Sequence, residues 1–456
     1  MPRRETIGIV GAGLVGPVMA LYLARRGAEV HLYERGPDPS AGPPEGGRSV
    51  HLVVSARGFR ALAGIGLDVA VREAAIPLSG RAIHPPAGPL QFQPYGRDDQ
   101  AIYAVQRSQL NRILAAAAAR HPSITAHFGQ RCLEVDPHAL TFDLLDTGTG
   151  ERRRARADVL LGADGCFSRV RAALMRTDRF DYSQQYMGYG YKEIRIPPAD
   201  AGGFALPSHA MHVWPRKRLM LSAFPNLDQS FTAMLVMPFE GEVSFASIAS
   251  GKELQALFEA QLGDVLPLVP DLAGEYFLRP PSSLMTIRCS PWIFEGRVAL
   301  IGDAAHAMVP FFGQGMNAGL EDCVVLDGCL ERHGGDWARS LPEYQALRRP
   351  DCDAVTDMSL QNFVELSELV GDPRFLLKKR LEQRIHALYP DRFIPLYPMV
   401  AFSHLPYAEV QRIAHAQEEV LQRLLASGDL EARWESPDLN LAIHAVMQEL
   451  EERPSL

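Results

Sequence analysis

Three short segments bring together residue types suited to holding a nucleotide. The first is Gly11-x-Gly13-x-x-Gly16, directly after the apolar run TIGIV and before a helical stretch, with Glu34 and Arg35 closing the next apolar strand. In such a loop the first glycine permits the tight turn, the second lets a pyrophosphate reach the backbone, and the third allows close helix–strand packing. A carboxylate at Glu34 is placed to bond ribose hydroxyls, and Leu14 and Arg35 belong to the same candidate set. The second segment, LLGADGCFSRVR (160–171), puts Asp164 at the end of a buried strand before a helix start; alone, it is equally well explained as a plain turn. The third, 299–323, ends a strand at Asp303 and then presents Gly313, Gln314, Gly315, Met316 and Asn317 at a helix start. Backbone N–H groups there would stabilise negative charge on a bound ring or phosphate.

The elements that must position these residues follow from periodicity and turn residues. Residues 6–35 read as strand, glycine turn, helix, strand, a βαβ opening. A Gly/Pro-rich loop is expected over 36–50, a helix over 107–119 and a buried strand over 157–165. Residues 179–290 change character and read as strands of a separate sheet. A strand at 297 leads into a helix over 318–332, and from about 340 the pattern is mostly helical, broken at 388–398. The basic run ERRRAR (151–156) reads as a solvated hairpin turn.

Composition narrows the class. The chain has 456 residues, 47% of them hydrophobic, and 46 Lys+Arg against 54 Asp+Glu give a formal charge of −8. That balance argues against a general nucleic-acid binder, whose affinity rests on cationic neutralisation of phosphates. The six cysteines form no CxxC pair, which excludes a zinc ribbon and a disulfide framework and suits a reducing cytosol. No apolar run is long enough for a transmembrane helix, and the N-terminus leaves no room for a signal peptide, so a cytoplasmic location is expected.

Taken together, in this order and spacing, the three segments resemble the fingerprints of the class A FAD-dependent aromatic hydroxylases, which share the fold of para-hydroxybenzoate hydroxylase. The resemblance implies an α/β fold: a Rossmann-like FAD-binding domain, an inserted, mostly antiparallel β-sheet substrate domain and a C-terminal helical region. The corresponding divisions are 1–78, 98–178 and 290–365 for FAD, 79–97 and 179–289 for the substrate sheet, and 366–456 for the helices. It implies that Gly11, Gly13, Leu14, Gly16, Glu34 and Arg35 hold the ADP half of FAD, that Asp164 serves FAD and the nicotinamide donor, and that Asp303 holds the ribityl chain. Gly313, Gln314, Gly315, Met316 and Asn317 would face the flavin ring, and Arg107 would contact FAD. NADPH would act as a transient reductant and O2 as co-substrate, with oxygen transferred through a flavin C4a-hydroperoxide.

Within this class the chain resembles the kynurenine 3-monooxygenase family over nearly its whole length, through GRSVHLVVSARG (47–58), QFQPYGRDD (91–99), VPFFGQGMNAGLED (309–322), QNFVELSELV (361–370) and DRFIPLYPMVAFSHLPY (391–407). The implied substrate is L-kynurenine, an aromatic amino acid of tryptophan degradation, bound by Arg81, Tyr95, Asn362 and Tyr397, with Phe311 and Phe312 near its ring. A guanidinium suits an α-carboxylate, and tyrosine hydroxyls add fixed hydrogen bonds at little entropic cost. Arg81 and Tyr95 flank a hairpin, HPPAGPLQFQ, which can bring both to one site. Asn362 and Glu365 are neighbours on one helix face, so Glu365 would orient a site group or the substrate ammonium.

The chain departs from the family pattern at His51, where asparagine is expected near the flavin, at Phe312, where bacterial relatives often carry histidine, and at Leu396, which replaces a basic residue. The apolar wall at Phe312 makes a ring-substituted kynurenine a candidate. Hydroxylation of another 2-aminoaryl or aromatic acid, or a non-catalytic flavin-binding role, are the alternatives. Because an aniline nitrogen activates its own ring, no protein base is required, and His212, His306 and His404 read as structural; no metal is expected. The amphipathic stretch 408–456, where eukaryotic relatives carry a membrane anchor, reads as a helical cap over the substrate pocket, with a homodimer contact as the alternative.

Overall fold

The computed structural model describes residues 5–40, 42, 51–365, 373–426, 430 and 433–452. Its nucleotide half is a six-stranded sheet ordered Ile293–Phe294, Val298–Leu300, Val159–Gly162, Thr6–Val10, Glu29–Tyr33, Ile124–His127. All neighbours in it are parallel except the short Ile293–Phe294 edge. Ile7–Val10 and Val159–Gly162 are buried at every position, as central strands of a parallel sheet covered on both faces are. Helices Val15–Arg25 and Gly315–Arg332 contribute Val18, Met19, Leu320 and Leu326 to the same core.

The second large sheet has seven strands: Ser282–Ser290, Asp181–Ile196, Phe231–Pro238, Leu219–Pro225, Ala210–Arg216, Gly80–Ile83 and Gln91–Pro94. The hairpin Gly80–Ile83/Gln91–Pro94 joins it by a parallel pairing to Ala210–Arg216, which sets Arg81 opposite Met211. One face of this sheet packs on helices Gly251–Gln261 and Leu272–Phe277 through Ile194, Leu235, Phe258 and Tyr276. The opposite face carries Met187, Tyr189, Tyr191, Met211, Met220 and Val236. Period-2 alternation places these side chains together, as a pleated strand requires.

The basic run is not a turn. Arg152–Arg156 is a strand in a three-stranded antiparallel sheet with Gln130–Asp136 and Thr141–Asp146. Alternation explains it: Ala155 sits opposite the buried Phe142, while Arg154 donates to both Asp143 oxygens at 2.7 and 3.1 Å. The turn lies just before it, where Asp146 Oδ1 accepts from Gly148 and Thr149 N–H. The expected loop 36–50 is described only in part, since 41 and 43–50 lie outside the described residues.

The C-terminal part consists of helices Pro373–Leu388, Leu396–Phe402, Tyr407–Ala426 and Pro437–Glu452. Pro390 and Pro395 interrupt the helical pattern where the sequence places the break. The expected cap over the substrate pocket is narrower than 408–456. Leu396–Phe402 and the first half of Tyr407–Ala426 pack with Phe312 and Met358. The last helix instead joins a separate core with Leu381, Val420 and Leu424.

Candidate cofactor and substrate site

The glycine loop is built as its spacing demands. Gly11 has φ of 104°, and a Cβ there would lie 2.4 Å from Ala163 O; one on Gly16 would lie 2.0 Å from Gly11 O. A Cβ on Gly13 would meet no atom of the described residues within 4 Å, so among them that glycine faces open space. Leu14 heads helix Val15–Arg25, and no side chain caps it, which leaves backbone N–H groups for an anion. Glu34 accepts from Ala12 N–H and Gly36 N–H, both at 2.8 Å. Its carboxylate is thus oriented by the loop it adjoins, while Arg35 is exposed.

Asp164 caps the helix Arg169–Leu174 by accepting from Arg169 N–H at 2.6 Å and Val170 N–H at 3.3 Å. Its second oxygen is buried without a partner among the described residues, and burial raises its carboxyl above the usual range. Asp303 is exposed at the first turn of Asp303–His306. Arg107 is exposed at the start of Arg107–Arg120, one residue after Gln106, which donates to Asn226 at 2.7 Å.

The third segment forms an uncapped helix start. Gly313 adopts φ of 66° and Gln314 leads into Gly315–Arg332, again with no side-chain cap. Met316 packs against the nucleotide-half core. The Asn317 side chain is fully used within the protein: Oδ1 accepts from Ser55 N–H at 2.9 Å, and Nδ2 donates to Val53 O and Gly313 O at 2.8 Å. It fastens the loop to strand His51–Val54, so only its backbone remains for a ligand.

His51, on the same strand, stacks on Phe224 at 5.6 Å and bonds Pro225 O through Nε2 at 3.1 Å. Bonding a carbonyl makes Nε2 the donor, so Nδ1 keeps its lone pair; that nitrogen is buried without a partner among the described residues. Burial lowers the His51 pKa to about 4, and the ring is neutral. Two orphaned buried acceptors, two uncapped helix starts and the open Gly13 fit a nucleotide-linked ring such as FAD.

The substrate candidates converge from four stretches of chain. Tyr95 stacks on Tyr397 with centroids 4.7 Å apart, Phe312 stacks on Tyr397 at 5.7 Å, and the Arg81 guanidinium lies 6.0 Å from the Tyr397 ring. Burial raises Tyr95 to about 12 and Tyr397 well above the usual phenol range. Both hydroxyls are therefore neutral donors. Asn362 does not join this stack; it donates to Phe311 O at 2.7 Å and holds the loop in front of Gly313. Glu365 lies 3.9 Å from Lys379 and has found a cation of the protein itself.

Kynurenine 3-monooxygenase of Flavobacterium psychrophilum is 42% identical over 448 residues, covering 98% of this chain and 99% of that protein. The enzyme of the same name from Myxococcus xanthus is 43% identical over 423 residues, covering 92% and 91%. Residues 4–223 and 284–359 match the family described as FAD binding domain. The chain belongs to the kynurenine 3-monooxygenase family of FAD-binding proteins. Among solved structures, 2-methyl-3-hydroxypyridine-5-carboxylic acid oxygenase shares the fold, with a TM-score of 0.67 at 20% identity over 82% of this chain and 96% of that one. PqsL of Pseudomonas aeruginosa, solved with 2-aminobenzoylacetate, gives 0.65 at 20% identity over 80% and 97%.

In this kynurenine 3-monooxygenase relative, sequence reasoning missed the wall opposite Phe311. Phe363 packs on Phe311 at 4.4 Å and on Tyr189 at 4.9 Å, beside Met211 and Met234. The alternation Met187, Tyr189, Tyr191 was its available signal. It also missed the buried charges behind the Gly313–Asn317 loop. Arg348 donates to Asp322 and Glu321 at 2.8 Å, and Arg57 donates to Glu321 at 2.7 Å. His306, Asp322 and Cys352 converge within 4.8 Å, but Arg348 already supplies their cation, 3.5 Å from Cys352 Sγ. Burial opposes charge on His306, yet Asp322, 2.6 Å away, outweighs it and holds the imidazolium well above its ordinary pKa. His306 is thus part of a structural ion pair, and His212 bonds His84 at 2.9 Å and Pro207 O at 2.9 Å.

Proposed function

We propose that this chain hydroxylates the aromatic ring of L-kynurenine, giving 3-hydroxykynurenine, with FAD as cofactor, NADPH as reductant and O2 as co-substrate. The observation that carries this reading is the convergence of Arg81, Tyr95, Tyr397 and Phe312 beside the helix start at Gly313–Asn317. Bound FAD, once reduced, supplies the oxygen activation and hydroxyl transfer. The chain supplies position and surroundings. Arg81 takes the α-carboxylate, and the neutral Tyr95 and Tyr397 hydroxyls donate to the same end of the substrate. The amides at the start of Gly315–Arg332 stabilise negative charge on the flavin ring. Phe311, Phe312, Phe363 and Met211 keep water from the ring being hydroxylated. The arylamine of the substrate activates its own ring, so no titrating base need face it.

The cofactor roles given to Gly11, Gly13, Gly16, Glu34, Asp164, Asp303, Arg107 and His51, and the division of the chain into the three units set out above, are part of this proposal. Support comes from the two separate sheets and from the 79–97 hairpin pairing with the second of them. No helix among the described residues is long and apolar enough to cross a membrane; cytoplasmic location and a homodimer belong to the proposal. The buried Phe312 on Tyr397 favours a second reading, a ring-substituted kynurenine, because an apolar wall tolerates an added apolar group. Substrate-stimulated NADPH oxidation by the FAD-loaded protein, compared between L-kynurenine and ring-substituted kynurenines, tests both.

A further inference from the structure

The stretch around Tyr397 and Tyr407 is fastened to its surroundings by polar contacts of Tyr407, Arg57 and Asp351, none of which carries a cofactor or substrate role. Tyr407 donates its hydroxyl to Gln314 Oε1 at 2.8 Å, although 93 residues separate them, and both are buried. Arg57 lies 3.8 Å over the Tyr407 ring and donates to Val400 O at 3.3 Å and to Leu405 O, on either side of the end of helix Leu396–Phe402. Its remaining nitrogen holds Glu321, which stands on Gly315–Arg332 itself. Asp351 accepts from Ala408 N–H at 3.0 Å beside Arg348. Gln314 is the residue that opens the flavin-loop helix, and Tyr397 opens onto the substrate stack.

We propose that Tyr407 and Arg57 are positioning residues that latch the Tyr397 segment to the helix start, so that substrate binding and cofactor-loop order are coupled. The idea rests on the kynurenine-hydroxylase reading. Arg57 is a donor to two carbonyls and a carboxylate at once, through separate nitrogens of its planar guanidinium fork. Tyr407 contributes one hydroxyl, and removing it leaves the Gln314 carboxamide oxygen buried without a donor. A displaced Gln314 disturbs the first turn of the helix on one side and frees Tyr397 on the other. Coupling of this kind is reciprocal: kynurenine must tighten FAD by the factor by which FAD tightens kynurenine.

The test uses the full chain and Tyr407→Phe. FAD affinity is measured by flavin fluorescence with and without L-kynurenine, alongside kcat, KM and the fraction of NADPH consumed that appears as H2O2. The variant is expected to keep its FAD, raise KM for L-kynurenine by about five-fold or more, release more H2O2, and lose most of the kynurenine effect on FAD affinity. Adding Gln314→Met to remove the orphaned carboxamide is expected to restore thermal stability without restoring KM. Unchanged KM and H2O2 fraction would overturn the latch. So would a double variant in which KM recovers together with stability, or a Tyr407→Phe protein that cannot hold FAD at all. A wild type indifferent to L-kynurenine sinks the functional reading and the latch with it; a responsive wild type matched by Tyr407→Phe sinks the latch alone.

Discussion

The ring of Tyr397 stacks on that of Tyr95 with centroids 4.7 Å apart and planes 25° apart. Tyr95 follows the hairpin of the seven-stranded sheet, and Tyr397 stands on a short helix of the C-terminal part. Phe312, from the loop before Gly313, also stacks on Tyr397, at 5.7 Å. Tyr397 is therefore where the three parts of the molecule meet. A substrate seated here, as proposed above, would touch the sheet, the loop and the short helix together.

Arg81 sets the first prediction. It shares the sheet face of Met211 and approaches the Tyr397 ring. Arg81→Met removes the carboxylate partner but keeps an apolar stem. A charge-assisted hydrogen bond contributes about 1.5–3 kcal/mol, so KM for L-kynurenine should rise roughly 10- to 100-fold. FAD content should stay as in the wild type. Steady-state kinetics with flavin absorbance read both, and loss of FAD with unchanged KM would show that Arg81 serves the cofactor.

The glycine loop separates a ligand clash from a protein clash. At Gly13 an added methyl meets no atom of the described residues, whereas at Gly16 it overlaps Gly11 O. Gly13→Ala should leave the melting temperature of the FAD-free protein unchanged and weaken FAD binding about ten-fold or more. Gly16→Ala should lower both. Calorimetry of the stripped protein and flavin titration distinguish them, and a Gly13→Ala protein with full FAD affinity would move the pyrophosphate elsewhere.

The sequence made the nucleotide half legible because glycine turns and buried parallel strands are local signals. Gly11–Gly16, Asp164 and Gly313–Asn317 fall where their spacing places them. ERRRAR misled because consecutive arginines hide the alternation that pairs Ala155 with Phe142 and Arg154 with Asp143. The Asn317 and Asn362 amides also bond backbone carbonyls, contacts that no local pattern marks and only tertiary structure reveals. The same holds for Arg57, Arg348 and Glu321: no local pattern marks charges that neutralise one another across 27 and 264 residues.

Those buried charges give a stability prediction. Arg348 is almost fully buried and serves Asp322, Glu321 and Asp351. Arg348→Leu strands carboxylates in the interior, and breaking a buried pair from one side costs about 3–5 kcal/mol. Denaturant unfolding should show that loss. A variant of wild-type stability would mean the network relaxes onto another cation.

Acid should destabilise the fold in a defined window. Burial holds His51 and His84 near a pKa of about 4, against 6.5 for the free side chain. As pH falls from about 6.5 towards 4 the unfolded chain takes up protons that these native rings refuse, so stability drops. His306 works in the opposite sense, because its native charge adds stability below 6.5 that is lost as pH rises through its elevated pKa. Urea midpoints should therefore fall between pH 6.5 and 4, less steeply for His84→Gln. Identical slopes in the two proteins would remove His84 from the explanation.

The most direct measurement is the product itself. FAD-loaded protein is supplied with NADPH, L-kynurenine and isotopically labelled dioxygen, and the products are resolved by liquid chromatography and mass spectrometry. The account predicts 3-hydroxykynurenine carrying a single labelled oxygen, formed in step with NADPH oxidation and suppressed in Arg81→Met at low substrate. Bound FAD with neither labelled hydroxykynurenine nor any kynurenine-dependent NADPH oxidation would contradict it.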